Sequence, residues 1–348
     1  METLRRFALP FLLALACVAL HPARVFAGAA RSVADTRDPA RDAAYQKLVD
    51  ATNAVVAIHV KAIPDARSNE TLGQVRAGSG VLIADNLVLT IGYLILEADT
   101  VEVTDADGTK VPATVVAYDH ATGFGLVRPM APLGEKPIAL GSAAPVAQLD
   151  RMMIVNGGEE QTVSVATVVS KRKFAGYWEY LIDNAIFTTP PRFDHSGAAL
   201  INSKGELVGI GSLFVMDALT PGEKLPGNMF VPVDLLKPIL DEMVRTGAQH
   251  ASHRPWLGVN SLEEDGRVKV MQVNEESPAA RAGISAGDII LTVDGQPVES
   301  LEKFYRALWT RGPAGVKVVL GVLHGPQVKE VTVESMDRLN FMRHRTGI

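Results

Sequence analysis

The stretch RFDHSGAALINSKGELVGIG, residues 192–211, holds the residues best placed to do chemistry. Ser196, Gly197, Ala198 and Ala199 make a small-residue turn, and two apolar runs separated by Lys204-Gly205 follow it. A serine on a tight loop just ahead of a hairpin suits a nucleophile. Its hydroxyl attacks poorly until a base takes the proton. Acyl transfer therefore needs an imidazole, a carboxylate to hold that imidazole, and backbone N–H groups facing the developing oxyanion. The plainer alternative is a serine that only hydrogen-bonds its own turn.

The elements around Ser196 read as strands. From about residue 55 to Val233, runs such as AVVAIHV, SGVLIADNLVLT, VPATVVAYD, TVSVATVVS and ELVGIGSLFV are rich in Val, Ile and Thr, with turns at Asp107-Gly108 and Lys204-Gly205. Many short strands at this spacing predict an all-β barrel or sandwich, and the length suits two packed barrels. DAAYQKLVDATN ahead of them reads as a short helix. VPVDLLKPILDEMVRTG then shifts to helical spacing, with Asp234 expected as N-cap and Gly247 as the stop. AQHASHRP reads as a linker. In the last module, Ser277 and Pro278 open a short helix that exits at Gly283, and Asp294-Gly295 signals a hairpin. Ser300 opens a second helix whose Leu301, Phe304, Tyr305 and Leu308 share an apolar face.

The chain has 348 residues, 47% hydrophobic and 21% charged, with a formal net charge of -5. No basic run is present, which argues against nucleic-acid binding. Arg5 and Arg6, the apolar run from Phe7 to Leu20 and the small-residue site at Val25-Phe26-Ala27 together predict a secretory signal peptide over 1–27. An uncleaved signal anchoring the chain to an inner membrane is the alternative. Cys17 is the only cysteine and would leave with the signal, so no disulfide, catalytic thiol or thiolate metal site is expected in the mature chain. Export without disulfides fits a periplasm.

The C-terminal module resembles a PDZ domain. SPAARAGISAGDIILTVDGQPV follows that signature through its Ala-Gly, Gly287-Asp288 and Asp294-Gly295. Trp256-Leu257-Gly258-Val259 would turn backbone N–H groups toward a ligand carboxylate, beside an open strand edge, with Leu301 and Tyr305 on the facing helix. The β region resembles the chymotrypsin-fold part of the HtrA/DegP serine proteases, through GSGVLIADNLVLT, SGAALINSKGELVGI and VPVDLLKPIL. The implied fold is mainly β: a trypsin/chymotrypsin-like double β-barrel followed by a PDZ domain. Expected boundaries are a leader at 28–44, the double barrel at 45–247, a linker at 248–253, the PDZ domain at 254–337 and a tail at 338–348.

The resemblance also specifies what is missing. The family's histidine falls at Tyr93, three residues after Leu89-Thr90, and its aspartate falls at Gly123 in TGFGLV. A phenol of pKa near 10 holds its proton at neutral pH, and glycine has no side chain. Ser196 keeps the nucleophile's place, but Asp194 stands where the family has the glycine whose N–H, with that of Ser196, forms the oxyanion site. His195 adjoins Ser196 and is poorly directed for proton transfer, and His120 lies on the loop near the lost aspartate. His59, His250, His253, His324 and His344 lie in the first strand, the linker, the PDZ module or the tail. Asp119-His120 and Asp194-His195 could in principle hold a divalent metal from two loops around the site, although solvated loop charges are the simpler expectation. No cofactor is expected.

Two functions follow. One is an exported HtrA-like pseudoprotease, a scaffold, chaperone-like or regulatory factor whose PDZ domain binds protein C-termini or unfolded polypeptides, with an active relative as a further partner. The other is a serine endopeptidase in envelope quality control that uses Ser196 with an unconventional base. The resemblance further implies a homotrimer built through the region Tyr45 to Val60.

Overall fold

A computed structural model describes residues 39–157 and 161–343. The expected signal peptide, most of the leader and the last five residues of the tail lie outside the described residues.

Helix α1 (Pro39–Asn53) runs directly into the first strand. Six strands, Val55–Ala62 (β1), Val75–Ala84 (β2), Leu87–Ile91 (β3), Ala98–Thr104 (β4), Lys110–Tyr118 (β5) and Phe124–Pro129 (β6), close a barrel in the order β1-β2-β3-β6-β5-β4. A four-residue helix, α2 (Asn69–Leu72), lies between β1 and β2. All five residues of β3 are buried, and Ile58, Leu89, Ile91, Phe124 and Leu126 fill the interior.

The second set comprises Ala139–Leu140 (β7), Arg151–Asn156 (β8), Thr162–Gly176 (β9), Tyr180–Thr189 (β10), Ala199–Ile201 (β11), Glu206–Val215 (β12) and Gly227–Pro232 (β13). The order β11-β8-β9-β10-β13-β12 returns on itself because β11 pairs with both β8 and β12, while β7 joins β12 in parallel. The expected double β-barrel is therefore present.

The expected helix after β13 is shorter than its periodicity suggested. Val233–Leu235 is a 3₁₀ turn and α3 covers only Leu240–Thr246, because Pro238 lacks an N–H and disfavours helical geometry in the residue before it. Asp234 is not its N-cap; the carboxylate instead accepts from Ser142 Oγ at 2.9 Å and from the Ala143 N–H. Gly247 does end the helix, with a left-handed φ of 86°.

The last module pairs Val259–Glu264 (β14), Arg267–Val273 (β15), Ile289–Val293 (β16), Gln296–Pro297 (β17), Lys317–His324 (β18) and Gln327–Glu334 (β19) in one antiparallel sheet. Helices α4 (Pro278–Arg281) and α5 (Leu301–Trp309) are capped by Ser277 and Ser300, whose side chains accept the N–H groups of Ala280 and Lys303. Leu301, Phe304, Tyr305 and Leu308 are buried, as the pattern required.

The stretch 248–253 is no loose tether. Ser252 is fully buried and its hydroxyl donates to Asp119 of the first barrel, which also accepts from Gln249 Nε2 at 2.8 Å. The tail folds back through α6 (Arg338–Phe341), whose Phe341 ring lies 4.7 Å from that of Trp256.

Candidate active site and peptide groove

Ser196 sits where the two barrels meet. Its carbonyl accepts the Ser79 N–H of β2 at 2.8 Å, and Gly197 donates to the Gly211 carbonyl of β12 at 2.9 Å. Gly197 has φ +75°, and a Cβ there would lie 1.9 Å from the Ser79 carbonyl oxygen. Only glycine fits between those backbones. The turn is thus held from both sides, with its serine hydroxyl against Tyr93.

Tyr93 comes from the 3₁₀ turn Gly92–Leu94 that follows β3. Its hydroxyl lies 2.7 Å from Ser196 Oγ and 2.9 Å from the Ser212 carbonyl oxygen. A phenol carries one proton, and a carbonyl can only accept. Whether that proton serves Ser212 or Ser196, the serine keeps its own. Burial pushes the Tyr93 phenol up to about 12, against a smaller opposing effect of the Ser196 hydrogen bond. Arg76 braces the turn from behind, donating to the Tyr93 and Leu96 carbonyls at 3.0 and 2.8 Å.

Gly123 adopts φ +82°, and a Cβ on it would stand 2.7 Å from the Tyr180 hydroxyl. That hydroxyl donates to the Thr122 carbonyl at 2.6 Å and is buried. The space beside Gly123 is filled by an aromatic side chain from β10.

The third component is also altered. Asp194 is exposed, and Arg192 binds its carboxylate through Nε at 2.8 Å. Burial opposes the charge, but Arg192 outweighs it and holds this carboxyl below the usual range, with Thr162 Oγ1 at 3.4 Å as a further donor. His195 turns Nδ1 to the Arg192 carbonyl at 3.1 Å, and burial lowers its pKa.

His120 is not a substitute base. It is buried, 3.3 Å from the Tyr118 hydroxyl and 3.1 Å from Arg338, and burial with the nearby Arg338 and Arg254 charges holds its pKa well below the ordinary value. The idea that Asp119-His120 and Asp194-His195 face one site requires correction. Asp119 is tied to Thr122, Gln249 and Ser252, whereas Asp194 is tied to Arg192 and Thr162. Among the described residues no three His, Cys, Asp or Glu side chains gather as a metal-holding group.

The PDZ groove holds a second arrangement. The N–H groups of Leu257, Gly258 and Val259 converge on one carboxylate, that of Glu179 in the turn between β9 and β10. The strand edge expected to be open is not: the Ser261 N–H of β14 donates to the Tyr177 carbonyl at 2.8 Å. Tyr305 of α5 donates its hydroxyl to the Gly176 carbonyl at 2.7 Å. Trp256 is buried under Phe341, and Leu301 lies in the module's core. Burial raises the Glu179 carboxyl to about 7 even though the Leu257, Val259 and Gly258 N–H groups and Arg338 favour its charge.

Sequence reasoning missed Glu179, Tyr180, Arg76 and Ser212. Each acts across a large sequence separation, and nothing in the spacing of GYWEY ties Glu179 to Gly258.

Comparisons with known proteins agree with this layout. The family model described as "Trypsin-like peptidase domain" matches residues 78–210, and the one described as "PDZ domain" matches 255–334. The chain is 29% identical to "Serine protease PepD" of Mycobacterium tuberculosis, over 76% of this chain and 61% of that protein. It is 26% identical to "Periplasmic serine endoprotease DegP" of Salmonella typhimurium, over 74% and 56%. With "Serine endoprotease DegS" of Haemophilus influenzae identity is 27%, over 81% and 84%. The chain thus spans about 60% of the length of the first two relatives. Among solved structures, "HtrA-type protease AlgW with decapeptide" aligns with a TM-score of 0.52 at 21% identity, covering 87% of this chain and 99% of that one. The serine endoprotease from Yersinia pestis aligns with a TM-score of 0.52 at 23% identity, covering 84% and 97%. These structural likenesses bear on the fold.

Proposed function

The chain is a homologue of the HtrA/DegP serine proteases, a trypsin-like peptidase domain followed by a PDZ domain, and from that premise we propose that it is an exported pseudoprotease that binds polypeptides instead of cleaving them. The observation that carries this reading is the 2.7 Å approach of the Tyr93 phenol to Ser196. The nucleophile is hydrogen-bonded to a group that keeps its proton across the physiological range. In serine proteases with the catalytic triad, losing correct support of the imidazole alone costs roughly 10⁴-fold in rate. Here the resemblance puts Tyr93 and Gly123 where the imidazole and its carboxylate would stand.

The binding function resides in the PDZ domain, where the N–H groups of Leu257, Gly258 and Val259 and the edge of β14 take a polypeptide carboxylate and its strand once Glu179 and the Tyr177 carbonyl have left them. The partners are protein C-termini or unfolded chains, with an active relative as a further candidate. Export rests on the N-terminal signal pattern and on the printed names of relatives such as "Periplasmic serine endoprotease DegP". Among the described residues no helix is long and apolar enough to cross a membrane. Homotrimer formation through residues 45–60 is part of the same proposal; Tyr45 on α1 is 68% exposed, as an unassembled contact would be.

The test is degradation of reduced casein by the purified chain and by Ser196→Ala. Equal background from both supports binding without cleavage. Serine-dependent cleavage by the wild type would replace this reading with a peptidase that has an unrecognised base.

A further inference from the structure

The groove between β14 and α5 is occupied on all sides by one segment of the same chain. Its floor is the N–H turn of residues 257–259, where Gly258 donates to Glu179 Oε1 at 2.7 Å, Val259 to the same oxygen at 3.1 Å, and Leu257 to Oε2 at 3.1 Å. On the strand side the Ser261 N–H takes the Tyr177 carbonyl. On the helix side the Tyr305 hydroxyl takes the Gly176 carbonyl at 2.7 Å, and the Glu179 N–H approaches that hydroxyl at 3.3 Å. Ala175 and Leu181 pack onto the module's apolar core. Lys173 pairs with Glu302 at 2.6 Å and Asp183 with Arg306 at 3.1 Å at the outer end. These contacts supply what an added strand ending in a carboxylate would supply: backbone pairing along the edge and a negative group on the N–H turn.

We infer that the hairpin joining β9 and β10 is the resident ligand of this PDZ groove, its Glu179 side chain standing in for a C-terminal carboxylate, and that an incoming peptide binds only by displacing it. The inference rests on the reading that the groove takes polypeptide carboxylates. It adds that the resting chain is closed to such ligands and that its affinity is set by competition within the molecule.

Three features keep the closure reversible. Glu179 adopts φ +59°, a left-handed conformation that is unfavourable for a residue with a Cβ, and the residue is only 1% exposed, so docking strips its carboxylate of water. The two outer ion pairs are partly exposed, and such pairs contribute little. The hairpin remains covalently tethered, so its effective concentration at the groove is high.

The experiment compares the full chain with Glu179→Ala and with Glu179→Gly, which accepts the +59° φ without strain and equally lacks a carboxylate. Hydrogen exchange at the Leu257, Gly258 and Val259 amides is read first. Acceleration of at least about tenfold in both variants, with the β18 amides still protected, is the expected result. Binding is then measured with a fluorescein-labelled mixture of nonapeptides having free carboxyl termini and apolar last residues. Binding at least about tenfold tighter in the variants supports displacement, since apparent affinity scales with the open fraction. Unchanged exchange, or equal peptide affinity in wild type and variants, overturns the inference. Faster exchange with no peptide bound by any form leaves the closure standing and removes the binding function instead.

Discussion

A Cβ on Gly123 would stand 2.7 Å from the hydroxyl of Tyr180, so the position where the family resemblance implies a carboxylate is crowded by a buried aromatic side chain. Gly123 also needs φ +82°, which disfavours an L side chain by about 1–2 kcal/mol. Gly123→Asp is therefore expected to destabilise the chain by about 2–4 kcal/mol, the range for strain combined with a core clash. Tyr93→His combined with Gly123→Asp should fold poorly and hydrolyse no casein above background. Thermal melting and the casein assay check both. A stable, active double variant would show that the site is only two substitutions from competence.

Removing the Tyr93 hydroxyl tests what that group does. Tyr93→Phe loses the hydrogen bonds to Ser196 and to the Ser212 carbonyl, and the expected loss is about 1–2 kcal/mol of stability. No hydrolysis should appear, because freeing the serine provides no base. Urea unfolding measures the first and fluorophosphonate labelling of Ser196 the second. Strong labelling of Tyr93→Phe but not of wild type would mean that the phenol masks a serine that is otherwise reactive.

The strands and the capped helices of the last module were legible in the sequence, for physical reasons. Alternating Val, Ile and Thr, a Ser-Pro helix start and an Asp-Gly hairpin are local signals, and the hairpin residues Asp294 and Gly295 adopt the positive φ values such a turn demands. The shortened helix after β13 was readable in hindsight from Pro238. The closed groove was not. Glu179 and Gly258 are 79 positions apart and meet only because β9 and β10 extend past the second barrel into the last module. His120 had the same problem: the sequence placed it on a loop near the site, but its neighbour Arg338 lies 218 positions away.

Asp119 ties the connection between the domains to the first barrel. It is fully buried and accepts from Thr122, Gln249 and Ser252. Asp119→Ala leaves these donors unsatisfied, and breaking such a buried network should cost about 3 kcal/mol. Limited proteolysis should then nick residues 248–254 before either domain. Resistance there equal to wild type would show that other contacts hold the connection.

Ligand binding should depend on pH through Glu179. Its carboxyl titrates at about 7 when docked, chiefly because of burial, and near 4.3 when the hairpin is free in water. Between those values the docked form holds more protons than the released form, so docking is strongest below about pH 4.5, weakens as pH rises and levels off above about 7. The other groups facing this carboxylate keep their charge state across that window. Arg254, lowered to about 10 mainly by burial, stays charged, while Tyr305 of α5, pushed up by burial, stays neutral. A peptide C-terminus, with a pKa near 3.5, is ionised throughout. Wild-type affinity for the nonapeptide mixture should therefore tighten on the order of tens of fold from pH 5 to pH 8. Glu179→Gln retains the oxygen that accepts from Leu257, Gly258 and Val259 but cannot titrate, so its affinity should stay flat. Fluorescence polarisation at both pH values decides this, and a parallel rise in the glutamine variant would move the dependence away from Glu179.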